Sequence, residues 1–300
     1  MALTAGTFLL GKANARTQEQ RDLAQQNFHK ARQAVDQYLT AVSENTLLKS
    51  PAPGLQPLRK ELLELALAYY VDFLKQQGDD PALRADLAAA YLRVGRITSE
   101  IGAKTEALAA VHRARDLYET LTRARPDDAA LMSELAKCFE ETGFLQSQTG
   151  EPAEGLRSLE PAVALGSTLW RDQPGEATYQ YDLAATYRRL ANVQQVNGKP
   201  DDAVASLQQS IALLDELTRA NAQSVPYQIA RAAAHHNLGV VRSFNSQTRA
   251  ALEDYQRALE IWEKLDRENS GDLEWPGCVR PEHRLDVQYA GSSFPGVSRL

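Results

Sequence analysis

Cysteine is almost absent from this sequence: Cys138 and Cys278 are the only two in 300 residues, which excludes a disulfide framework. Cys138 stands beside an aromatic position of a repeated pattern and reads as a small core residue. Histidine is scarce as well. The five are scattered and none has the His-Glu-x-x-His spacing, so neither a metal site nor a cofactor is expected. Ser, His and Asp residues lack a nucleophile-elbow context, and an enzyme is not expected. There is no excess of positive charge: the net charge is −6 with both signs interspersed, which argues against a nucleic-acid-binding surface. Long apolar runs are missing too. Met1 to Leu10 is apolar, but this is about half the length a membrane-spanning helix needs.

Abundant instead are alanine, leucine, glutamine, arginine and glutamate, and β-branched residues are sparse, a composition that favours helix. These residues fall in register at an offset of 48. Gly95, Gly143, Ala191 and Gly239 form one column, Ala88, Ala136, Ala184 and Ala232 another, and Tyr91, Phe139, Tyr187 and His235 a third. Leu108, Leu156, Val204 and Leu252 follow, then Val111, Leu159, Leu207 and Tyr255, then Leu121, Leu169, Leu217 and Leu265. Gly102, Gly150, Gly198 and Ser246 mark a break between two helical stretches in each copy. A fixed period of this length predicts an all-α stack of helix pairs, each burying its apolar face against its neighbours. Small residues where helices cross let the backbones approach, and the aromatic and leucine columns fill the space between pairs.

Four segments follow along the chain. Residues 1–15 are an apolar start, read either as an unremarkable terminus or as the exit end of a transmembrane helix. Residues 16–78 are an irregular first helical pair broken by Pro51, Pro53, Gly54 and Pro57, and residues 79–270 hold the four regular repeats. In each repeat a first helix of about 20 residues is expected to run to the break, with the second beginning near Lys104, Pro152, Asp201 and Gln247. Residues 271–300 lose the period, since a fifth copy would need alanine at 280 and glycine at 287 where Arg280 and Val287 stand; a disordered tail is expected. The last helix, with Leu252, Tyr255, Leu259 and Trp262, then lacks a covering repeat, and self-association through this end is expected.

The run Tyr91, Val94, Gly95, Ala107, Val111, Ala114, repeated as Tyr187, Leu190, Ala191, Ala203, Leu207, Ser210 and as His235, Leu238, Gly239, Ala251, Tyr255, Ala258, resembles the tetratricopeptide repeat (TPR). The second copy departs at Thr142 and Gly155, and the period exceeds the usual 34 or so residues. The resemblance implies a right-handed superhelical solenoid whose concave groove binds a peptide or protein. A looser likeness joins the stretch 27–36, the stretch 54–63 and the long repeats to the region that follows the membrane span in large bacterial Ser/Thr protein kinases. No kinase catalytic element is present, neither Gly-rich loop nor Val-Ala-Ile-Lys, His-Arg-Asp or Asp-Phe-Gly. That likeness implies the non-catalytic regulatory or sensory region of a membrane-anchored kinase; the chain is expected to be either cytoplasmic or tethered to a membrane at its N-terminus, on either side.

In a TPR the groove is made by the first helix of each pair. Counting from the small column, its lining is expected at Leu92, Arg93 and Arg96; Glu140, Glu141 and Phe144; Arg188, Arg189 and Asn192; and His236, Asn237 and Val240. Candidate partner-binding residues are therefore Arg93, Arg96, Arg188, Arg189, Asn192, His236 and Asn237. Arg188, Asn192 and Asn237 partly resemble the clamp with which some TPR domains hold a C-terminal carboxylate, a role that guanidinium forks and carboxamides suit. The numerous carboxylates are expected at exposed helical positions and read as a solvated face.

Overall fold

The computed structural model describes residues 81–268 apart from Ile101, together with the helical positions Leu58, Glu61, Glu64, Leu65, Ala68, Tyr69, Val71 and Asp72. The apolar start, the long N-terminal stretch to residue 57 and the tail from residue 269 lie outside the described residues. Among the described residues every regular element is an α-helix. They are α1 (Pro81–Glu100), α2 (Lys104–Ala124), α3 (Ala129–Gln148), α4 (Pro152–Asp172), α5 (Ala177–Val196), α6 (Pro200–Ala220), α7 (Val225–Phe244) and α8 (Thr248–Glu268). None of these helices is long and apolar enough to cross a membrane.

Helices of 20 and 21 residues alternate. Three-residue turns join the two helices of a pair and four residues join one pair to the next, which accounts for the period. The chain divides into two compact units, Met1–Ala124 and Arg125–Leu300. The first contains α1 packed on α2. In the second, α3–α4, α5–α6 and α7–α8 form pairs, each second helix packs on the first helix of the next pair, and α5 also meets α3 and α7.

The break residue in each copy has a conformational cause. Gly102, Gly150 and Gly198 have φ of 93°, 92° and 71°, and Ser246 has 60°. This left-handed residue ends the helix: the Lys199 N–H reaches back to the Gln194 carbonyl at 2.8 Å and the Gln247 N–H to the Arg242 carbonyl at 2.9 Å. Glycine adopts this conformation without a Cβ penalty and serine does not, so Ser246→Gly is expected to stabilise the last pair by about 1 kcal/mol. Urea denaturation would read this as a higher midpoint at unchanged slope; an unchanged midpoint would mean that the turn carries no strain.

The small column works by close approach. A Cβ on Gly155 would stand 2.5 Å from the Gly143 carbonyl oxygen, and one on Gly143 would stand 2.6 Å from that of Gly155. The departure of Gly155 from the alanine usual there thus reflects two facing backbones with no room for either methyl. Between pairs, Leu183, Ala184, Leu213, Leu214, Leu217, Ala230 and Ala234 form a core to which Tyr181, Tyr187 and Tyr227 contribute partly buried rings. Cys138 is fully buried. Leu252, 54% exposed, differs from Leu108, Leu156 and Val204 in its column, which are half-buried.

The carboxylates are not all a solvated face. Glu141 is 5% exposed and Asp254 is fully buried. Asp254 has a structural lineage visible in the repeats. Ser158 donates to Gln146 Oε1 at 2.7 Å, and Ser206 donates to Gln194 Oε1 at 2.8 Å. At the same two positions of the last pair, Arg242 Nη1 meets Asp254 Oδ2 at 2.5 Å. Arg257 and the Nδ1 of buried His235 lie 3.5 and 3.6 Å from Asp254 Oδ1.

Candidate functional site

The expected groove residues separate into those locked in the fold and those left open. On α1, Leu92 is buried, Arg93 half-buried and Arg96 exposed. Both arginines have interaction partners, and they belong to the first unit. In the second unit the faces of α3 and α5 are tied together. Arg189 Nε lies 2.7 Å from Glu140 Oε1 and Nη1 lies 3.1 Å from Glu141 Oε2. The same guanidinium stacks over the Phe144 ring at 4.7 Å. Thr186 donates to Glu140 at 3.0 Å, and Lys137 lies 3.7 Å from Asp182. Arg189, Glu140, Glu141 and Phe144 therefore cross-link adjacent pairs.

One helix further along, the arrangement changes. An open cleft of about 110 Å³ is lined by Arg188, Ala191, Asn192 and Gln195 of α5, Leu207 of α6, and Asn237, Val240 and Val241 of α7. Three residues singled out from the sequence, Arg188, Asn192 and Asn237, thus meet in one place. Small Ala191 at the crossing with α6 leaves the floor low, and fully buried Leu207 closes it. Arg188 is half-buried, and among the described residues its guanidinium has neither a hydrogen-bond nor an ion-pair partner. Burial lowers its pKa from the ordinary arginine value; Tyr181 and Glu140 oppose the shift and Arg189 reinforces it. Arginine remains charged under such a shift, so the cleft holds a cation with five donors and three carboxamides that can donate or accept.

His236 takes no part in the lining. Its ring packs 5.6 Å from Tyr255 and 5.8 Å from Trp262, both on α8. Burial lowers its pKa, against a raising hydrogen bond with the Asn237 side chain. Val240, expected in the lining, is there as well, and Ala191, Gln195, Leu207 and Val241 join the cleft beyond the expected lining. The signal for Gln195 was available in the sequence, since it falls seven residues after Arg188, two helical turns along the same face.

The helices, their pairing and their period define a TPR-like helical repeat fold. Among solved structures the chain is similar to the apo form of RapI (TM-score 0.54, 12% identity, covering 80% of this chain and 74% of that one). It is also similar to BtubC (BKLC) from P. vanneervenii (TM-score 0.50, 14% identity, 81% and 92% covered). A kinesin-light-chain protein with nearly identical TPR-like repeats, from Podosopora anserina, gives a TM-score of 0.47 at 21% identity over 80% and 97%. At these identities the likeness concerns the fold. No family model matches the sequence, and no curated protein matches it.

Proposed function

We propose that this chain is a protein-interaction scaffold that takes a peptide or protein segment in the cleft between α5 and α7. The observation that carries this reading is Arg188, a half-buried guanidinium with no carboxylate partner among the described residues, set beside Asn192, Gln195 and Asn237. Desolvating a cation on which the Glu140 carboxylate acts without a direct ion pair costs free energy that an incoming carboxylate or carbonyl group returns. Carboxamides can pair with both the N–H and the C=O of an extended backbone, which suits a polypeptide better than a small anion. Arg189, one residue away, has its charge answered by Glu140 and Glu141 and contributes by holding α3 to α5.

The test is selection of binders from a random peptide display library on the full chain. Selected peptides are expected to lose at least about tenfold in affinity to Arg188→Ala, the equivalent of one charge-assisted hydrogen bond. Asn192→Trp, which fills the cleft from an exposed position, should abolish them while far-UV circular dichroism stays unchanged. Binders indifferent to both variants would move the site elsewhere.

A second reading, the regulatory region of a membrane-anchored bacterial Ser/Thr kinase, rests on the resemblance of residues 27–63 and on the apolar start. Nearly all of these lie outside the described residues, and no observation among the described residues favours it. A kinase reading frame directly upstream would do so.

A further inference from the structure

One strip of the second unit is unusual in being both apolar and exposed. Val196 is 58% and Phe244 67% exposed, and they occupy the same column, 48 residues apart, as the last residues of α5 and α7. The corresponding residue at the end of α3 is Gln148. Isolated exposed apolar residues are ordinary on a protein surface, but these two are placed with respect to the cleft. Val196 follows the lining residue Asn192 by four positions, and Phe244 follows the lining residue Val240 by four. Residues four apart on a helix lie one above the other, so both continue the cleft by one turn on the two helices that form it. The surface therefore runs from a cationic, amide-rich end at Arg188 and Asn237 to an apolar end at Val196, Val240 and Phe244.

Resting on the reading of the cleft as a peptide site, we propose that Val196 and Phe244 form a second subsite that receives a large apolar side chain of the bound segment. The occupant is an extended peptide of another protein carrying an acidic residue for Arg188 and a Leu, Met or aromatic residue for the apolar end. The spacing follows from helix geometry. From Arg188 to Val196 is about 12 Å along α5, at about 1.5 Å per residue, and an extended chain covers about 3.3 Å per residue. The two anchor residues should thus stand three or four positions apart in the peptide. The charge pattern fits an acidic anchor at this point. Net charge on the whole chain is −6, so an acidic segment finds general repulsion and local attraction at a guanidinium that has no direct ion pair among the described residues.

The experiment uses the full chain and a panel of acetylated, amidated ten-residue peptides. Each carries one Glu and one Phe separated by one to six positions in either order, with Gln-for-Glu and Ser-for-Phe controls, and binding is read by fluorescence anisotropy. Affinity is expected to peak at a separation of three or four. Phe244→Ser, and more weakly Val196→Ser, should lower the affinity of Phe-bearing peptides at least fivefold and leave the Ser controls unchanged; both side chains are exposed, so the fold is not at stake. If Arg188→Ala weakens the peptides but Phe244→Ser does not, or if no separation is preferred, the apolar subsite is overturned while the cleft stands. If neither variant matters, the cleft itself fails. Self-association of the chain, lost on Phe244→Ser and measured by sedimentation, would make the occupant a second copy and overturn the assignment to another protein.

Discussion

Arg242→Met is expected to destabilise the second unit by about 3–5 kcal/mol, the cost of leaving a buried carboxylate without its main partner. Asp254 has no exposed surface, and Arg242 Nη1 at 2.5 Å is its closest cation. Arg257 at 3.5 Å is more than half exposed and replaces it poorly. The preceding pairs show how the loss can be reversed. Where the last pair has Arg242 and Asp254, they have Gln146 with Ser158 and Gln194 with Ser206. The double variant R242Q/D254S should rebuild that neutral bond and return to within about 1 kcal/mol of the parent, since a buried ion pair exchanged for a well-fitted neutral pair is often close to neutral. Urea denaturation followed by circular dichroism decides it. If R242M is as stable as the parent, the ion pair contributes nothing; if the double variant is no better than R242M, the repeats are not interchangeable at this point.

A second large effect is expected for Leu217→Asp. Leu217 is 2% exposed and sits where α6 meets its neighbours, in contact with the Leu183, Leu213, Leu214, Ala230 and Ala234 cluster. The substitution removes a buried leucine and places a carboxylate among hydrocarbon groups that offer no hydrogen bond, so a loss of about 4 kcal/mol or more is expected. The stack transmits stability between neighbouring pairs. The thermal transition of the second unit should therefore fall as a whole, read by circular dichroism together with protease resistance of the 125–268 segment. An unshifted transition would show that the leucine column does not lie in the core.

Much of the architecture was legible because the repeats corroborate one another. Helix starts expected near Lys104, Pro152, Asp201 and Gln247 fall at Lys104, Pro152, Pro200 and Thr248. The turn column reads correctly because a left-handed residue between two helices has a strong glycine preference that three of the four copies display, with Ser246 in the fourth. A single copy would mislead. Pro161 taken alone argues for a helix break, yet α4 runs through it with Leu159, Ala162 and Leu169 buried on one face. The solvated reading of the carboxylates failed at Glu141 and Asp254 for a related reason. Burial of a charge depends on a partner from another segment, and Arg189 and Arg242 supply those partners. The paired change from Gln and Ser to Arg and Asp at an offset of 48 was the signal that could have found Asp254.

The sequence by itself determined the period, the helical class and the small and large columns, because these follow from local helix geometry and from patterns that repeat in register. It placed Arg188 and Arg189 together as candidates and likened Arg188, Asn192 and Asn237 to part of a carboxylate clamp, without showing which arginine would pair within the fold. Successive residues on a helix point about 100° apart, so one of the two turns toward the preceding pair and the other toward the following pair. Which finds a carboxylate depends on side chains 47 to 49 positions away in sequence, and only the tertiary structure brings these within reach. Arg189 meets Glu140 and Glu141 on α3, whereas Arg188 lines a cleft with Asn237, Val240 and Val241 of α7, where none of the lining residues is an acid.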